Sequence, residues 1–513
     1  MKHKNIAAAV ALAVAAYSNG AMALAPTVSP DITLYIGGAT AQDYGIGLLI
    51  TELCSEGTLD TYLDLADTSK PGKSYSAYFC KMKSSKITGL TVTDPKVLIY
   101  KRSAGGSAMG VSPLVGGGTA IDFMSIANSN CTLQSGKTDV WGCTVRTGTA
   151  DLQSKKVDMG VSDVNPELFL GDNTPDGFDP VNKILVNKQL VVSAAAALVF
   201  GVPVTKDLRD TLQKAEVAQG SLGADCVGDE TESCMPSLSK AQVASLYAGR
   251  IKTWDSFKVN GQPLSDYAAS TAPSNNLVHI CRRVDGSGTQ AVANEFYLNN
   301  PCSGDYGATL PPAAKDSTPN KLAVVSNPLT GPVVIENSGS GDVEVCLNDF
   351  NEATVGLGAN HPNPAAGYKA WAVGVQSLEK NATLSNKYRF VKVDGVAPTL
   401  ENVANGSYLH WAEQTFQWRK TNAGGPSGNK LKIIQKIASE ASKPSIVAQL
   451  NVSFKHSFGD SGYLVTPQNA TPDADGVFDA NNPVNPYSHS FNGKVDNCLA
   501  PTVYGKSNGA SAL

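Results

Sequence analysis

Short apolar runs of strand length alternate along this chain with stretches of helical period. Residues 32–36, 97–100 and 278–281 are three such runs. A helix beginning at Thr40 follows the first run, and Ser287 opens a helix after the third. Alternating strands and helices predict an α/β fold, in which ligands bind where strands end and helices begin.

Apolar residues recur at helical spacing in the predicted helices, so each helix should bury one face. These faces comprise Tyr44, Leu48, Leu49 and Leu53 in the first helix, Val292, Phe296 and Tyr297 in the second, and Leu431, Ile434, Ile437 and Ala441 in a helix over residues 429–442. Segments rich in Gly, Ser, Asp, Pro or Thr predict peripheral loop insertions at residues 55–79, 116–149, 220–235 and 300–320.

The N-terminus has the pattern of a secretory signal. Lys2 and Lys4 precede an apolar stretch over residues 6–16, and the small-residue site Ala-Met-Ala follows at residues 21–23. The apolar stretch is far shorter than the ~20 residues that span a bilayer. We therefore predict a signal peptide over residues 1–23. Because no cysteine lies near the cleavage site, we do not expect a lipid anchor. The mature chain should be periplasmic or secreted, with no transmembrane segment.

Length and charge limit the possible functions. At 513 residues the chain should form two or three domains. Removing Lys2 and Lys4 with the signal peptide changes the formal net charge from −4 to −6. An acidic chain of this kind argues against nucleic acid as a partner. Any site for an anion must be built locally, because the overall field does not attract anions.

The ten cysteines predict disulfides, because an even number in an exported chain usually pairs. Zinc is not expected: no C-x-x-C occurs and the histidines are scattered, so we predict no metal and no cofactor. Pairing each cysteine with its neighbour leaves one long-range bond, which is the least secure. The predicted pairs are Cys54–Cys80, Cys131–Cys143, Cys226–Cys234, Cys281–Cys302 and Cys346–Cys498.

Glycine- and serine-rich turns precede the predicted helices. They are Gly-Gly-Ala-Thr at residues 37–40, Ser-Ala-Gly-Gly-Ser at 103–107 and Arg-Val-Asp-Gly-Ser-Gly-Thr at 283–289. Free N–H groups at a helix start, aided by the helix dipole, suit an anion, and an arginine adds a planar cation. Each turn taken alone is more often an ordinary helix cap. A fourth element, residues 157–163, reads as a short strand that ends in the carboxylate of Asp163.

Together and in this order, these elements resemble the phosphate-binding proteins of bacterial ABC transporters, a family of type II periplasmic binding proteins. Residues 38–40, 103–106 and 157–163 resemble three family segments, and residues 283–289 match the family's Arg-x-Asp-Gly-Ser-Gly-Thr signature in full. The resemblance implies a two-lobed α/β fold with a two-strand hinge and disulfide-pinned loop insertions. Lobe I would comprise residues 24–192 and 411–513, and lobe II residues 193–410.

The resemblance also implies a phosphate cradle. Arg283 would supply the charge and would be held by Asp285, while Asp163 would accept the proton of the bound phosphate. Sulfate has no such proton at neutral pH, so the site should prefer phosphate, although arsenate shares both geometry and proton. The remaining hydroxyl and N–H donors would be Thr40, Ala41, Ser103, Ser287, Gly288 and Thr289.

The implied function is that of a monomeric phosphate receptor that delivers its ligand to an ABC permease. One alternative is a secreted phosphate-scavenging or sensing protein that never docks on a permease. Another is a secreted phosphatase of related fold, against which the sequence shows no G-x-S-x-G elbow and no clear Ser/His/Asp constellation. We therefore predict a binding protein and not an enzyme.

Overall fold

The structure is a computed structural model and describes residues 25–66, 68, 71–269, 272–302, 310, 331–352, 368–473, 477–491 and 493–503. The predicted signal peptide, residues 1–23, lies outside these residues. Within the described ranges, no helix has both the length and the apolar character needed to cross a membrane.

Strands and helices alternate, and most strands of the described residues join one mixed sheet of 16 strands. The predicted α/β class is confirmed. The strands are β1 (Ile32–Gly38), β2 (Asp60–Asp64), β3 (Tyr75–Lys81), β4 (Lys96–Arg102), β5 (Ala120–Met124), β6 (Cys131–Leu133), β7 (Val140–Cys143), β8 (Leu152–Lys156), β9 (Met159–Ser162), β10 (Leu190–Thr205), β11 (Ser237–Leu238), β12 (Lys258–Val259), β13 (Gln262–Pro263), β14 (His279–Arg283), β15 (Val333–Asn337), β16 (Ala372–Gly374), β17 (Gln376–Ser377), β18 (Tyr388–Val393), β19 (Trp411–Arg419), β20 (Tyr463–Val465), β21 (Tyr487–Ser488), β22 (Ser490–Phe491), β23 (Lys494–Val495) and β24 (Thr502–Val503). The helices are α1 (Asp43–Leu53), α2 (Lys183–Gln189), α3 (Lys206–Gln219), α4 (Lys240–Tyr247), α5 (Gly288–Leu298), α6 (Ser340–Glu352), α7 (Leu400–Ala404), α8 (Gly428–Ala441) and α9 (Pro444–Val452).

The first half of the sheet has the strand order β19-β9-β1-β4-β3-β2-β7-β6. Its centre is parallel, since β1 pairs in parallel with both β4 and β9. The segments 55–79 and 116–149, predicted as loops, carry β2, β6 and β7 and extend this half at its edge. In β2 the buried positions are Asp60, Tyr62 and Asp64. Because two of these buried residues are aspartates, the sequence does not show the alternation of apolar and polar residues that is typical of a strand.

The helix predicted to begin at Thr40 begins at Asp43 instead, and the side chain of the preceding Gln42 makes no capping bond. Its buried face keeps Leu49 and Leu53 of the predicted face but turns toward Ile46 and Ile50 and away from Tyr44. Tyr44 is 58% exposed, whereas Ile46 and Ile50 are buried. This face packs against α8.

Two long strands connect the halves of the sheet, as the predicted two-strand hinge requires. β10 pairs antiparallel with β19 over residues 190–199, then changes partners and pairs with β17 and β18 from Phe200 onward. The chain returns to the first half just before β19, beside the point where β10 changes partners: the Phe200 N–H donates to the His410 carbonyl at 3.0 Å. The boundary between lobes at residues 192 and 193 stays a prediction.

The second half of the sheet contains β15, β14 and β16, which run parallel to one another, and then the end of β10 with β18 and β11. Its core is a single apolar cluster built around β10, β14, β16 and the helices α3, α6 and α7. Trp254 and Trp371 are fully buried there, and the Trp254 indole donates to the Trp371 carbonyl at 2.9 Å.

The structure contains five disulfides, three of which are the predicted neighbour pairs Cys54–Cys80, Cys131–Cys143 and Cys226–Cys234. Each of these closes a loop of at most 26 residues. Local sequence distance is a good guide to such pairs, because the strands or turns that they join are consecutive.

The other two predicted pairs, Cys281–Cys302 and Cys346–Cys498, are wrong. Cys281 is bonded to Cys346 across 65 residues, because β14 packs directly against α6. Cys302, just beyond α5, is bonded to Cys498 across 196 residues. Sequence distance fails here because packing of a helix on a strand, and the return of the chain terminus, decide which sulfurs meet.

The segment that follows β20 runs back over the hinge. The His489 ring, at Nδ1, lies 2.7 Å from Oε2 of Glu413 in β19, and both side chains are buried. Asn497 exchanges hydrogen bonds with Asn165 of the first half, and Cys498 is bonded to Cys302 of the second. This C-terminal segment is thus tied to both halves and to one hinge strand.

Candidate functional site

The turns singled out in the sequence lie at the carboxyl ends of parallel strands, the edge of an α/β sheet where ligands bind. β1, β4 and β9 end together in the first half, and β14, β15 and β16 end together in the second. The two sets face each other: the Ala108 N–H donates to the Gly286 carbonyl at 2.9 Å. A Cβ added to Gly106 would lie 3.1 Å from the Cα of Ser287.

A cavity of about 450 Å³ lies between the two sets of strand ends, and we call it the cleft. The predicted residues Thr40, Ala41 and Ser103 line it. The other lining residues are Asp43, Tyr44, Pro71, Gly72, Lys73, Ser74, Ala104, Ser338, Gly339, Ser340, Gly341, Glu344, Glu379, Lys380 and Phe454. Hydroxyl groups, backbone and charged side chains of both halves therefore share one enclosure.

Ser340, at the start of α6, connects the halves of the site. Its Oγ lies 3.3 Å from the Thr40 hydroxyl and accepts a hydrogen bond from Arg283 Nη1 at 2.9 Å. Arg283 Nη2 donates to the Ser338 carbonyl at 3.1 Å. Sequence reasoning missed Ser340, although Ser-Gly-Ser-Gly at residues 338–341 follows a strand and begins a helix, as the other turns do.

Arg283 is only 1% exposed and comes from the end of β14. Burial lowers its pKa, and the charges of Asp163, Asp342 and Glu379 oppose that effect. Its Nε has no hydrogen-bond partner within the described residues. The guanidinium, which remains charged in proteins, is thus held beside the cleft among three carboxyl groups.

Asp285, predicted to hold Arg283, is not among the partners that Arg283 has in the structure. Arg283 donates to Ser340 and Ser338, and the cation that lowers the pKa of Asp285 is Arg282. Burial is the main effect on Asp285 and raises its pKa to about 6. Successive side chains of a strand point to opposite faces, so Arg282 and Arg283 at the end of β14 cannot share the same partner.

Asp163 follows β9 directly and is 2% exposed. The Ser107 hydroxyl donates to its Oδ2 at 3.2 Å, and Gln414 Nε2 lies 3.4 Å from its Oδ1. Burial raises the pKa of Asp163 to about 6; the charge of Glu379 adds to this rise and that of Arg283 opposes it. A carboxyl group of this kind exchanges a proton more readily near neutral pH than an exposed aspartate does.

Residues 287–289 begin α5 as predicted. The Ser287 Oγ caps the helix by accepting from the Gln290 N–H at 3.3 Å. A Cβ added to Gly288 would lie 2.3 Å from Ser107 Oγ and 2.8 Å from Asp163 Cβ, so the start of α5 is pressed against the first half. Ser287 and Thr289 are buried, and neither lines the cleft.

The Ser103 hydroxyl is already engaged, because it donates to the Asp43 carboxylate at 2.7 Å. Lys101 donates to Ser103 Oγ at 2.8 Å and to the Gly38 and Ala39 carbonyls at 3.0 and 3.1 Å. Its Nζ also lies 2.9 Å from Asp43 Oδ1, and the residue is 1% exposed. Lys101 thereby holds the turn after β1 in place. The sequence feature that could have identified it is a lysine directly after the apolar run of residues 97–100.

Ala41 accepts a hydrogen bond at its carbonyl from the Tyr463 hydroxyl at 2.6 Å. Across the cleft, Lys73 of the first half forms an ion pair with Asp342 of α6. The predicted residues therefore divide into two groups. Thr40, Ala41 and Ser103 line the cleft, whereas the others lie buried beside it: Asp163, Arg283, Ser287, Gly288 and Thr289.

No protein-family model matches the chain, and no curated protein sequence matches it. Among solved structures, a putative phosphate ABC transporter substrate-binding protein with bound phosphate from Clostridium perfringens is similar at 14% identity, with a TM-score of 0.39. The match covers 82% of this chain and 97% of that one. An ABC-type phosphate transport receptor from Vibrio cholerae is similar at 11% identity and a TM-score of 0.36, over 81% of this chain and 98% of that one.

Proposed function

We propose that this chain is an exported binding protein for inorganic phosphate, held between the two halves of the sheet. The observation that carries the proposal is the burial of Arg283 and Asp163, one from each half, beside a single cleft. A buried cation attracts the anion, and a buried carboxylate can accept its proton. HPO₄²⁻ and H₂PO₄⁻ supply both the charge and the proton, whereas an anion without a proton supplies only the charge.

The donors would come from both halves. Thr40 and Ser340, whose oxygens are 3.3 Å apart, would turn their hydroxyls to the anion, and the Arg283 guanidinium would neutralise it. A hydroxyl has only one proton, so Ser103 would have to release Asp43 before it could donate to phosphate. We therefore assign Thr40, Ser340 and Arg283 as the principal contacts, with the amides of Gly288 and Thr289 completing the cradle, because the Ser287 N–H already donates to the Val284 carbonyl.

Selectivity for phosphate over sulfate would depend on Asp163. Facing sulfate, its ionised carboxylate would meet a like charge with no proton to accept, which is costly in a buried site. A site built around such a hydrogen bond can discriminate by ~10⁴ or more. Wild-type protein should thus bind phosphate by calorimetry and show no heat with sulfate at the same concentration.

Arginine and aspartate variants test the assignment. Arg283→Gln should weaken phosphate binding at least ~30-fold, since loss of a buried charge contact costs ~2 kcal/mol or more. Asp163→Ala should reduce the preference for phosphate over sulfate. The exposed Arg250 and Asp266 provide matched controls, Arg250→Gln and Asp266→Asn, which should bind as wild type does. Comparable binding of sulfate and phosphate by the wild type would refute the role of Asp163.

Closure about β10 and β19 would bring lobe I, residues 24–192 and 411–513, onto lobe II, residues 193–410. Delivery to an ABC permease is the cellular function that we propose for the closed form. Restoration of phosphate uptake in cells that lack their own receptor would support it. A protein that binds phosphate without restoring uptake would be a scavenger or sensor, and release of nitrophenol from its phosphate ester would identify a phosphatase.

A further inference from the structure

Glu379 is a carboxyl group of the cleft that the phosphate-binding proposal does not use. It lies between β17 and β18 in the second half, lines the cleft and is 9% exposed. Neither carboxyl oxygen has a hydrogen-bond partner among the described residues. The nearest cation is Lys380, whose Nζ lies 3.8 Å from Oε1. Buried polar groups nearly always have a partner, so these two oxygens require an explanation.

The groups around Glu379 come from both halves. Burial raises its pKa; Lys380 and the neighbouring Ser377 oppose the rise, and Glu344 of α6 adds to it. The Ser377 hydroxyl is close enough to favour the charged form without meeting hydrogen-bond geometry. The charge of Glu379 affects the pKa values of Asp163 and Tyr463 in the first half and of Arg283 and Tyr388 in its own half.

The charges of the cleft do not favour a dianion. Lys101 is paired with Asp43, and Lys73 with Asp342, so neither lysine is a surplus charge. Arg283 and Lys380 then stand against Asp163 and Glu379 when both are ionised, so these four groups leave no positive charge in excess. Adding a dianion to this buried group is costly unless a further proton enters with it.

Resting on the proposed phosphate-binding function, we propose that Glu379 is a second carboxyl contact for the anion, so that the complex holds two shared protons, one at Asp163 and one at Glu379. Such a complex can be described as H₂PO₄⁻ between two carboxylates or as HPO₄²⁻ beside one protonated carboxyl group. The two descriptions contain the same atoms and charge. Binding from alkaline solution, where HPO₄²⁻ predominates, therefore takes up one proton.

This proton uptake gives the wild type a pH dependence that a site with Asp163 alone lacks. Where HPO₄²⁻ predominates and both carboxyl groups are ionised, the affinity should fall about tenfold for each unit of rising pH, as linkage to one proton requires. Glu379→Gln replaces the acceptor by an amide that can donate to the anion without a proton from solution. This variant should bind phosphate with little dependence on pH in the same range.

The experiment is titration calorimetry with inorganic phosphate at pH values between about 8 and 9, where free phosphate is mainly HPO₄²⁻, in buffers of different ionisation enthalpy. The heats give the protons taken up: about one for wild type, and close to none for Glu379→Gln. Glu379→Asp keeps the titrating group and should retain the uptake, and the exposed Glu56→Gln should match the wild type. Thermal melting without ligand identifies any variant that fails to fold, and Glu379→Asp then carries the comparison with the wild type.

Wild-type protein that binds phosphate without taking up a proton would overturn the role of Glu379 and leave the proposed function intact. The same holds if Glu379→Gln keeps the tenfold dependence on pH. Wild-type protein that binds no phosphate at any pH would overturn both proposals. The two failures are therefore distinguishable in one set of titrations.

Discussion

Gly288 offers a test of closure that leaves the charges of the site unchanged. In Gly288→Ala, the new Cβ would lie 2.3 Å from Ser107 Oγ and 2.8 Å from Asp163 Cβ, both in the other half. The backbone of Gly288 is not left-handed, so alanine adds bulk without backbone strain. The clash disappears if the halves move apart, and the cost should therefore fall on the closed form.

Overpacking by one methyl group in a tight contact costs ~1–3 kcal/mol. Alanine stabilises a helix interior by up to ~1 kcal/mol relative to glycine, and by less at the first position of α5. The helix preference acts on the open and closed forms alike, so the clash alone should weaken phosphate binding, by about 5- to 150-fold. Its stability to urea without ligand should change little, because the open form relieves the contact.

Titration calorimetry with phosphate measures this loss, and Gly117→Ala is the matched control. A Cβ at Gly117 meets no atom within 4 Å. Adding Ser107→Ala to Gly288→Ala removes the nearest clashing atom and should recover part of the affinity. Equal phosphate affinities for Gly288→Ala and Gly117→Ala would refute the view that the start of α5 belongs to the closing surface.

Three further predictions concern stability, each measured by urea unfolding. Lys101→Met should destabilise the fold by ~1–3 kcal/mol, because it leaves the Gly38 and Ala39 carbonyls without their donor and the partly exposed Asp43 without its cation. The pKa of Asp163 is raised to about 6, so keeping it ionised costs stability as pH rises from about 4 to about 6. Asp163→Asn removes that cost and should gain up to ~3 kcal/mol relative to wild type between pH 4 and 7. Removing the Cys302–Cys498 bond with serines, which opens a 196-residue loop, should cost ~2–5 kcal/mol; an unchanged unfolding midpoint would contradict this.

The three neighbouring disulfides and the turns before α1 and α5 were predictable because each depends on residues close together in the chain. When a strand is followed by a Gly-Ser turn and a helix, the N–H groups at the start of that helix lie at the end of the strand. This placement does not depend on the rest of the fold. The same reasoning located Asp163 at the end of β9. It could not place the start of α1, because Thr40 is a favoured N-cap residue, whereas the helix starts after Gln42, which makes no capping bond.

Partners that lie far apart in the chain were beyond such reasoning. Ser340 is 57 residues from Arg283, and the sequence alone suggested Asp285, two residues away, as the partner. Glu379 lies in an unremarkable segment, and only its position against the cleft makes its carboxyl group noteworthy. Side-chain direction at the end of β14 and the packing of α6 decide these contacts, and neither is encoded in a local pattern.

By itself, the sequence determined the α/β class, the glycine-rich strand ends and the disulfides between neighbouring cysteines. Only the tertiary structure decided which groups meet: the Cys281–Cys346 bond, the Thr40–Ser340–Arg283 chain and the second carboxyl group, Glu379. The physical reason is that hydrogen bonding and periodicity act over a few residues, whereas charge, burial and sulfur contacts act through space between strands brought together by folding.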